Sequence, residues 1–366
     1  MKKNNAYHNL DYPLLFCIII LSLFGIIMVY SASNVVALEK YHDSFYFFKR
    51  QTLFLGISYI MMIILISIDI SKIEKYVSII FFSCLLLLLI VLIPGIGVLR
   101  GGARSWINIF GISIQPSEFM KIALVLLYSK YLKDNYQDLK KLKYFLLLVL
   151  VAGIIFLIIM LQPDFGTGLV ILLSALILLF IAGVPIKYFI IILSFGIVGI
   201  VLLIISAPYR IARIMAFLNP WNDPLGSGFQ GIQSLFAITP GGLLGHGFNK
   251  SIQKHFFLPE PQNDFIFAII LEELGLIGGF VILLLYFIII YRGILISKNN
   301  NNYFLKFCGF GIVITLAIQV IINISVVIGL LPVTGITLPL FSYGGSSLLL
   351  TMISLSILLS ISKNNS

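Results

Sequence analysis

Residues 144–206 read YFLLLVLVAGIIFLIIMLQPDFGTGLVILLSALILLFIAGVPIKYFIIILSFGIVGIVLLIIS, and Asp164 and Lys187 are the only charged side chains among them. Three apolar runs stand out, Tyr144 to Leu161, Gly166 to Ala182 and Tyr188 to Ser206, parted by the turn-forming segments QPDF and GVPIK. An apolar run of about 20 residues carries a helix across the hydrocarbon core of a bilayer. Inside lipid every backbone N–H and C=O must find its partner within the segment, which selects helix over strand. The stretch therefore reads as three consecutive transmembrane helices on short turns.

Seven further runs repeat the pattern outward. Pro13 to Ser31, Thr52 to Ile68, Val77 to Ile93 and Ser117 to Tyr131 precede it; Phe265 to Tyr291, Leu305 to Ile328 and Phe341 to Ile361 follow it. The expected fold is all-α and integral to the membrane, with ten transmembrane helices in one polytopic domain over residues 1–366. Composition agrees: 60% of the 366 residues are hydrophobic and 10% charged, too little polar surface for a water-soluble globule. The first run follows Lys2 and Lys3 and ends in Ser31, Ala32 and Ser33, as a cleaved leader does. Its apolar stretch is long for a leader, so it is read as a retained helix. No internal repeat appears.

The loops are unequal. Residues 207–264, between helices 7 and 8, form a long polar loop rich in Gly and Pro, and loops of that length in a compact protein carry function. Residues 94–116 and 329–340 add two more outer loops with Gly, Pro and polar residues, so the three can wall one site.

The formal net charge of +10 comes from Lys and Arg scattered between apolar runs, with no basic face interleaved with aromatics, so nucleic acid is not an expected partner. Topology accounts for the charge. With the N-terminus inside, the cytoplasmic segments hold Lys2, Lys3, Lys72, Lys75, Lys130, Lys133, Lys140, Lys141, Lys143, Lys187, Arg292, Lys298, Lys306 and Lys363. The outer segments are sparser in cations, which satisfies the positive-inside rule and places both termini in the cytoplasm. Cys17, Cys84 and Cys308 lie inside apolar runs without motif spacing and read as buried small hydrophobes.

Asp264 stands where the long loop meets the eighth apolar run. Two roles stay open from spacing alone: a helix cap, with Pro259 and Pro261 preventing extension backwards, or a reactive carboxylate. Glu118 and Lys121 lie three apart on one helix face, as an ion pair or a substrate contact. Glu272 and Glu273 have no sequence neighbour to pair with, so their partners must come from another helix or from water. Asp164 reads as a turn residue. Arg210 and Arg213 read either as diphosphate ligands or as interfacial anchors. Gly344, Gly345, Ser346 and Ser347 read as a close-packing stripe, Trp106 and Trp221 as interface residues, and His246 has no second ligand at metal spacing.

These motifs together resemble the SEDS family, which includes FtsW, RodA and SpoVE. The resemblance runs over nearly the whole chain. It rests on IIMVYSAS (26–33), DSFYFFKRQ (43–51), GARSWINIFGISIQPSEFMK (102–121), QPDFGTG (162–168), LNPWNDPLGSGFQGIQSLFAI (218–238), FLPEPQNDFIFAIILEELG (257–275) and LPVTGITLPLFSYGGSS (331–347). Within these, NPWNDPLGSGFQ (219–230) and LPEPQNDFIFA (258–268) look more like the FtsW and SpoVE branch than the RodA branch. Asn263, where Thr commonly precedes the Asp, and Thr239 and Pro240, where Gly-rich sequence is usual, depart from the family pattern.

The resemblance implies the SEDS fold and a multi-pass protein of the bacterial cytoplasmic membrane. It implies a peptidoglycan glycosyltransferase that joins lipid II into a lipid-linked glycan strand, partnered by a class B penicillin-binding protein and by divisome or spore-septum proteins. It also implies that Asp264 is the essential carboxylate, the base that takes a proton from the incoming sugar hydroxyl. Arg104, Arg210, Arg213 and Lys254 are the expected cations for the leaving diphosphate, with Glu118 and Lys121 as further substrate contacts. No organic cofactor is expected, and a divalent cation, Mg or Mn, beside the diphosphate is left open. Two other readings stand beside this one: a lipid II flippase, with Glu118, Lys121, Glu272 and Glu273 lining a polar path, and a scaffold that recruits the transpeptidase.

Overall fold

The computed structural model describes residues 10–100, 102–109, 111–206 and 208–363. Lys2, Lys3 and Ala207 therefore lie outside the described residues. The helices are α1 (Tyr12–Tyr41), α2 (Tyr46–Ser67), α3 (Val77–Ile90), α4 (Pro116–Asp134), α5 (Leu142–Met160), α6 (Phe165–Ile181), α7 (Ile186–Ile205), α8 (Pro208–Leu218), α9 (Phe229–Gly241), α10 (Ile266–Lys298), α11 (Tyr303–Val327) and α12 (Gly345–Ser362). Each of the ten expected apolar runs coincides with one of these helices. By length and composition, seven are sufficient to cross a membrane: α1, α2, α3 with the turn before it, α5, α10, α11 and α12. Of the other three, α4 is diluted by its charges and α6 has only 17 residues.

α11 lies at the centre, packed on α4, α6 and α10, while α12 packs on α2 and α1 packs on α10 and α2. Close approach needs small residues: a Cβ added to Gly25 of α1 would fall 2.2 Å from the carbonyl oxygen of Leu340. Ser31 and Ser33, the small residues that end the first apolar run, are buried within α1, and the helix continues to Tyr41. At one end of the bundle Asp11 caps α1, accepts two bonds from Arg292 Nε of α10 at 3.0 and 3.1 Å, and donates its own N–H to Ser362 Oγ of α12. The opposite ends of these helices carry the loops with Asp264. α7 has no buried side chain among its described residues.

The all-α expectation needs correction in one loop. Residues 97–114 form a three-stranded antiparallel sheet, β1 (Gly97–Arg100), β2 (Ala103–Ile109) and β3 (Ile112–Ile114), with Val98 opposite Trp106 and Ile107 opposite Ile114. The strands are three to seven residues long, and their alternation is too short to stand out from a loop. The expected long loop of 207–264 is also partly ordered, because α8 and α9 lie within it. α8 is amphipathic: Arg210 and Arg213 share its surface with exposed Ile211, Met215 and Leu218, the composition of a helix lying in a membrane interface.

α10 is broken at Gly275, whose φ of 66° is left-handed. The groups freed by the break are paired with the segment after α9. His246 and Gly247 donate N–H bonds to the carbonyls of Glu272 and Glu273, while Leu276 and Ile277 donate to those of Gly242 and Leu243. A side chain at 275 is sterically excluded, since its Cβ would lie 2.4 Å from the oxygen of Leu243.

Candidate functional site

Asp264 lies in the turn just before α10 and does not cap it. The cap position is Phe265, and no side chain bonds the free N–H groups there. The helix-cap role is thereby removed, and the carboxylate forms no ion pair among the described residues. Phe265, Ile266 and Phe267 beside it are fully or almost fully buried, whereas Asp264 is half-buried. Desolvation pushes its pKa up from 3.8 to about 6. A contact with its own backbone N–H opposes the rise; Glu260 adds to it and the charge of Arg213 opposes it. A carboxyl titrating there is ionised at neutral pH and is a far stronger base than an exposed Asp.

Beside this turn opens a cavity of about 200 Å³. Its walls are Ser105 and Trp106 of β2, Glu118 and Lys121 of α4, Asp164 at the start of α6, Arg213 of α8, Gln319 of α11 and the segment Thr334–Thr337. Lys121 and Glu118 pair at 2.7 Å, each less than a tenth exposed. Arg213 donates to the carbonyl of Val333 at 3.1 Å, which leans the guanidinium over the loop wall. Three expected site residues, Glu118, Lys121 and Arg213, are thus brought together in one cavity; Asp264 does not line it, but the charge of Arg213 acts on it and Asn323 ties its carbonyl to that of the lining residue Ile336.

Arg104, Arg210 and Lys254 do not line that cavity. Arg104 lays its stem across Gly97 of β1, and Arg210 reaches Ser206 at 3.5 Å. Lys254 is turned inward, 2% exposed, with Nζ 2.8 Å from the carbonyl of Asn249 and 3.4 Å from Glu273 Oε1. Burial pushes its pKa down, against the opposing charges of Glu273 and Glu272.

One partner of Glu273 comes from another helix, as expected, but most partners of Glu272 and Glu273 come from the loop segment 249–254. Glu273 accepts from Ser31 Oγ of α1, from the N–H of Asn249 at 2.9 Å and from that of Ser251 at 3.2 Å. Glu272 accepts from Ser251 Oγ and from the N–H groups of Ile252 and Gln253. The pair holds the segment 249–254 against α10 through hydrogen bonds to its backbone N–H groups.

Asp164 was expected to be only a turn former. It does cap α6, through Thr167 N–H at 3.1 Å, and also accepts from Gln115 Nε2 at 3.0 Å while facing the cavity. Burial pushes its carboxyl above the ordinary range, against the Thr167 bonds, and the charge of Glu118 adds to the rise. The available signal was the pairing of QPSEFMK with QPDFGTG, two Gln-Pro turns that enter α4 and α6. Among the described residues no three His, Cys, Asp or Glu side chains form a metal group.

Comparisons with known proteins place the whole chain in a family and a fold. The model of the family FTSW_RODA_SPOVE, described as a cell cycle protein, matches residues 12–366. The chain is 49% identical to stage V sporulation protein E of Bacillus subtilis (strain 168), over 96% of this chain and 97% of the relative. It is 41% identical to the probable peptidoglycan glycosyltransferase FtsW of Geobacter sp. (strain M18), over 99% of this chain and 98% of the relative. Among solved structures, one described as "Structural coordination of polymerization and crosslinking by a peptidoglycan synthase complex" superposes with a TM-score of 0.80 at 27% identity, covering 98% of this chain and 99% of that one. The rod shape determining protein RodA of Thermus thermophilus superposes with a TM-score of 0.73 at 25% identity, covering 98% of each chain. This chain belongs to the FtsW/RodA/SpoVE family.

Proposed function

We propose that the chain is a peptidoglycan glycosyltransferase that polymerises lipid II at the outer face of the bacterial cytoplasmic membrane, in septal wall synthesis for division or sporulation. The observation that carries this reading is the half-buried Asp264, uncapped, unpaired and raised to about 6, beside a cavity with cationic Arg213 and Lys121. In the reaction the acceptor sugar hydroxyl gives its proton to Asp264 as its oxygen bonds to the anomeric carbon of the donor. The bond from that carbon to the lipid diphosphate breaks, and the electron pair leaves on the diphosphate. Direct displacement inverts the anomeric centre. Diphosphate is a good leaving group, so the second carboxylate of a glycosidase is not required. Arg213 supplies positive charge for the departing anion, and Lys121, its charge matched by Glu118, supplies an N–H donor.

Ten spans complete the topology when α4, α6 and α7 join the seven long apolar helices, with both termini cytoplasmic. This orientation puts Asp264, the sheet and α8 outside, where the prenyl chains of donor and acceptor lie between helices and their head groups reach the cavity. A class B penicillin-binding protein is the proposed partner, crosslinking the strand as it forms.

Purified protein reconstituted in vesicles with its transpeptidase partner and labelled lipid II is expected to yield ladders of glycan polymer. Movement of lipid II between leaflets without polymer would favour the flippase reading, and neither activity would favour a scaffold.

A further inference from the structure

The carbonyl of Asp264 stands outside the helix ladder. Ala268, which would donate to it in a regular helix, donates instead to Phe265 at 2.9 Å. Its partner is Asn323, in the apolar interior of α11 and 1% exposed. Asn323 Nδ2 donates to the carbonyl of Asp264 and to that of Ile336, both at 2.7 Å. Ile336 walls the cavity, as does Gln319, one turn earlier on α11. A second bond, from Tyr343 N–H to the carbonyl of Gln262 at 2.8 Å, joins the same two segments nearby.

A buried amide in an apolar helix is costly unless its hydrogen bonds offset the desolvation. The Oδ1 of Asn323 has no hydrogen-bond partner among the described residues, so the bonds it makes are the two to these main-chain carbonyls. Few other side chains can make both. Asp at 323 is an acceptor and would face two carbonyls, Ser offers one donor, and Leu offers none.

We propose that Asn323 is a positioning residue for glycosyl transfer: it fixes the main chain of Asp264 to the cavity wall at Ile336, so that the carboxylate meets the acceptor hydroxyl. The inference rests on the reading of Asp264 as the base. Misplacement of a reacting group by about 1 Å costs roughly 100-fold in rate, and the amide is the tether that prevents it.

The test compares wild type, Asn323→Ala, Asn323→Ser and Asp264→Asn as full chains with the transpeptidase partner and lipid II, scoring kcat, KM and the pH profile per folded molecule. Asn323→Ala is expected to lose about 100-fold in kcat with KM within about threefold, with Asn323→Ser intermediate and the acid limb of both profiles displaced. A merely structural Asn would lower the yield of folded protein and leave kcat and the acid limb per molecule unchanged. Folded Asn323→Ala or Asn323→Ser with wild-type kcat and an unmoved acid limb, where Asp264→Asn is inactive, overturns the inference alone. Wild-type polymerisation by Asp264→Asn overturns the base assignment and the inference with it. Should Asn323→Ala fail to fold, Asn323→Ser decides by the same readouts.

Discussion

Asp264→Asn loses glycan synthesis by about 10²–10⁴-fold while folding at least as well as wild type. The size follows from removal of the one group that accepts the hydroxyl proton. Asn is isosteric and keeps the backbone bond to Asn323, but its amide is not a base. The stability half of the prediction separates this residue from a structural carboxylate. Because the folded pKa lies above the unfolded one, the protonated form favours folding. That benefit is complete below the ordinary carboxyl value of 3.8, fades as pH rises through about 6, and leaves the fold short by roughly 3 kcal/mol at neutral pH. Removing the charge recovers part of that deficit. Thermal melts of the two proteins in detergent at pH 8, beside polymer ladders from lipid II, check both halves. A variant with wild-type ladders, or one that is inactive only because it unfolds, contradicts the assignment.

Glu273→Gln has the opposite character: a large loss of stability without any contact to reacting atoms. Glu273 is fully buried, accepts from Ser31 Oγ and from two backbone N–H groups, and faces Lys254 at 3.4 Å. Gln turns one acceptor oxygen into a donor aimed at those donors and removes the nearer counter-charge of buried Lys254, leaving only Glu272 opposite it. Removing one member of a buried pair costs about 3–5 kcal/mol, so the melting temperature is expected to fall by roughly 5–10 °C. Hydrogen exchange should quicken in residues 246–254, which hang from this carboxylate and from the break at Gly275. An unchanged melt would show that the network is solvated and that the segment 249–254 is held by other means.

The helices were legible in the sequence because bilayer helices announce themselves by length and apolar content. All ten apolar runs became helices, and errors lay at their ends: α1 continues past Ser31 to Tyr41, and α10 past Tyr291 to Lys298. Those extensions carry polar residues beyond the apolar run, where hydropathy gives no signal. The break at Gly275 was invisible for another reason. A glycine among apolar residues reads as packing, and only the pairing of 242–247 with the freed backbone reveals the left-handed residue. The sheet of 97–114 and helices α8 and α9 were hidden in segments read as irregular, although the spacing of Arg210 and Arg213 with Ile211, Ile214 and Leu218 was a helical signal.

The site was legible in part. Asp264, Glu118, Lys121 and Arg213 were singled out by charge at the edge of apolar runs, and the fold brings the last three into one cavity. Lys254 shared that signature, yet its partner Glu273 stands 19 residues away, so only the folded chain shows it turned inward. Asp164 was passed over because a turn role sufficed for it, and Asn323 because an uncharged amide in an apolar run carries no signal until the carbonyls of Asp264 and Ile336 converge on it.

The pH dependence of kcat/KM for lipid II polymerisation by the wild-type protein with its partner probes the central claim most directly. The account predicts full activity above pH 7 and a decline through a midpoint of about 6, tenfold per pH unit below it, because the base acts only when ionised. Activity that stays level down to pH 5, as an ordinary solvated Asp would give, contradicts it.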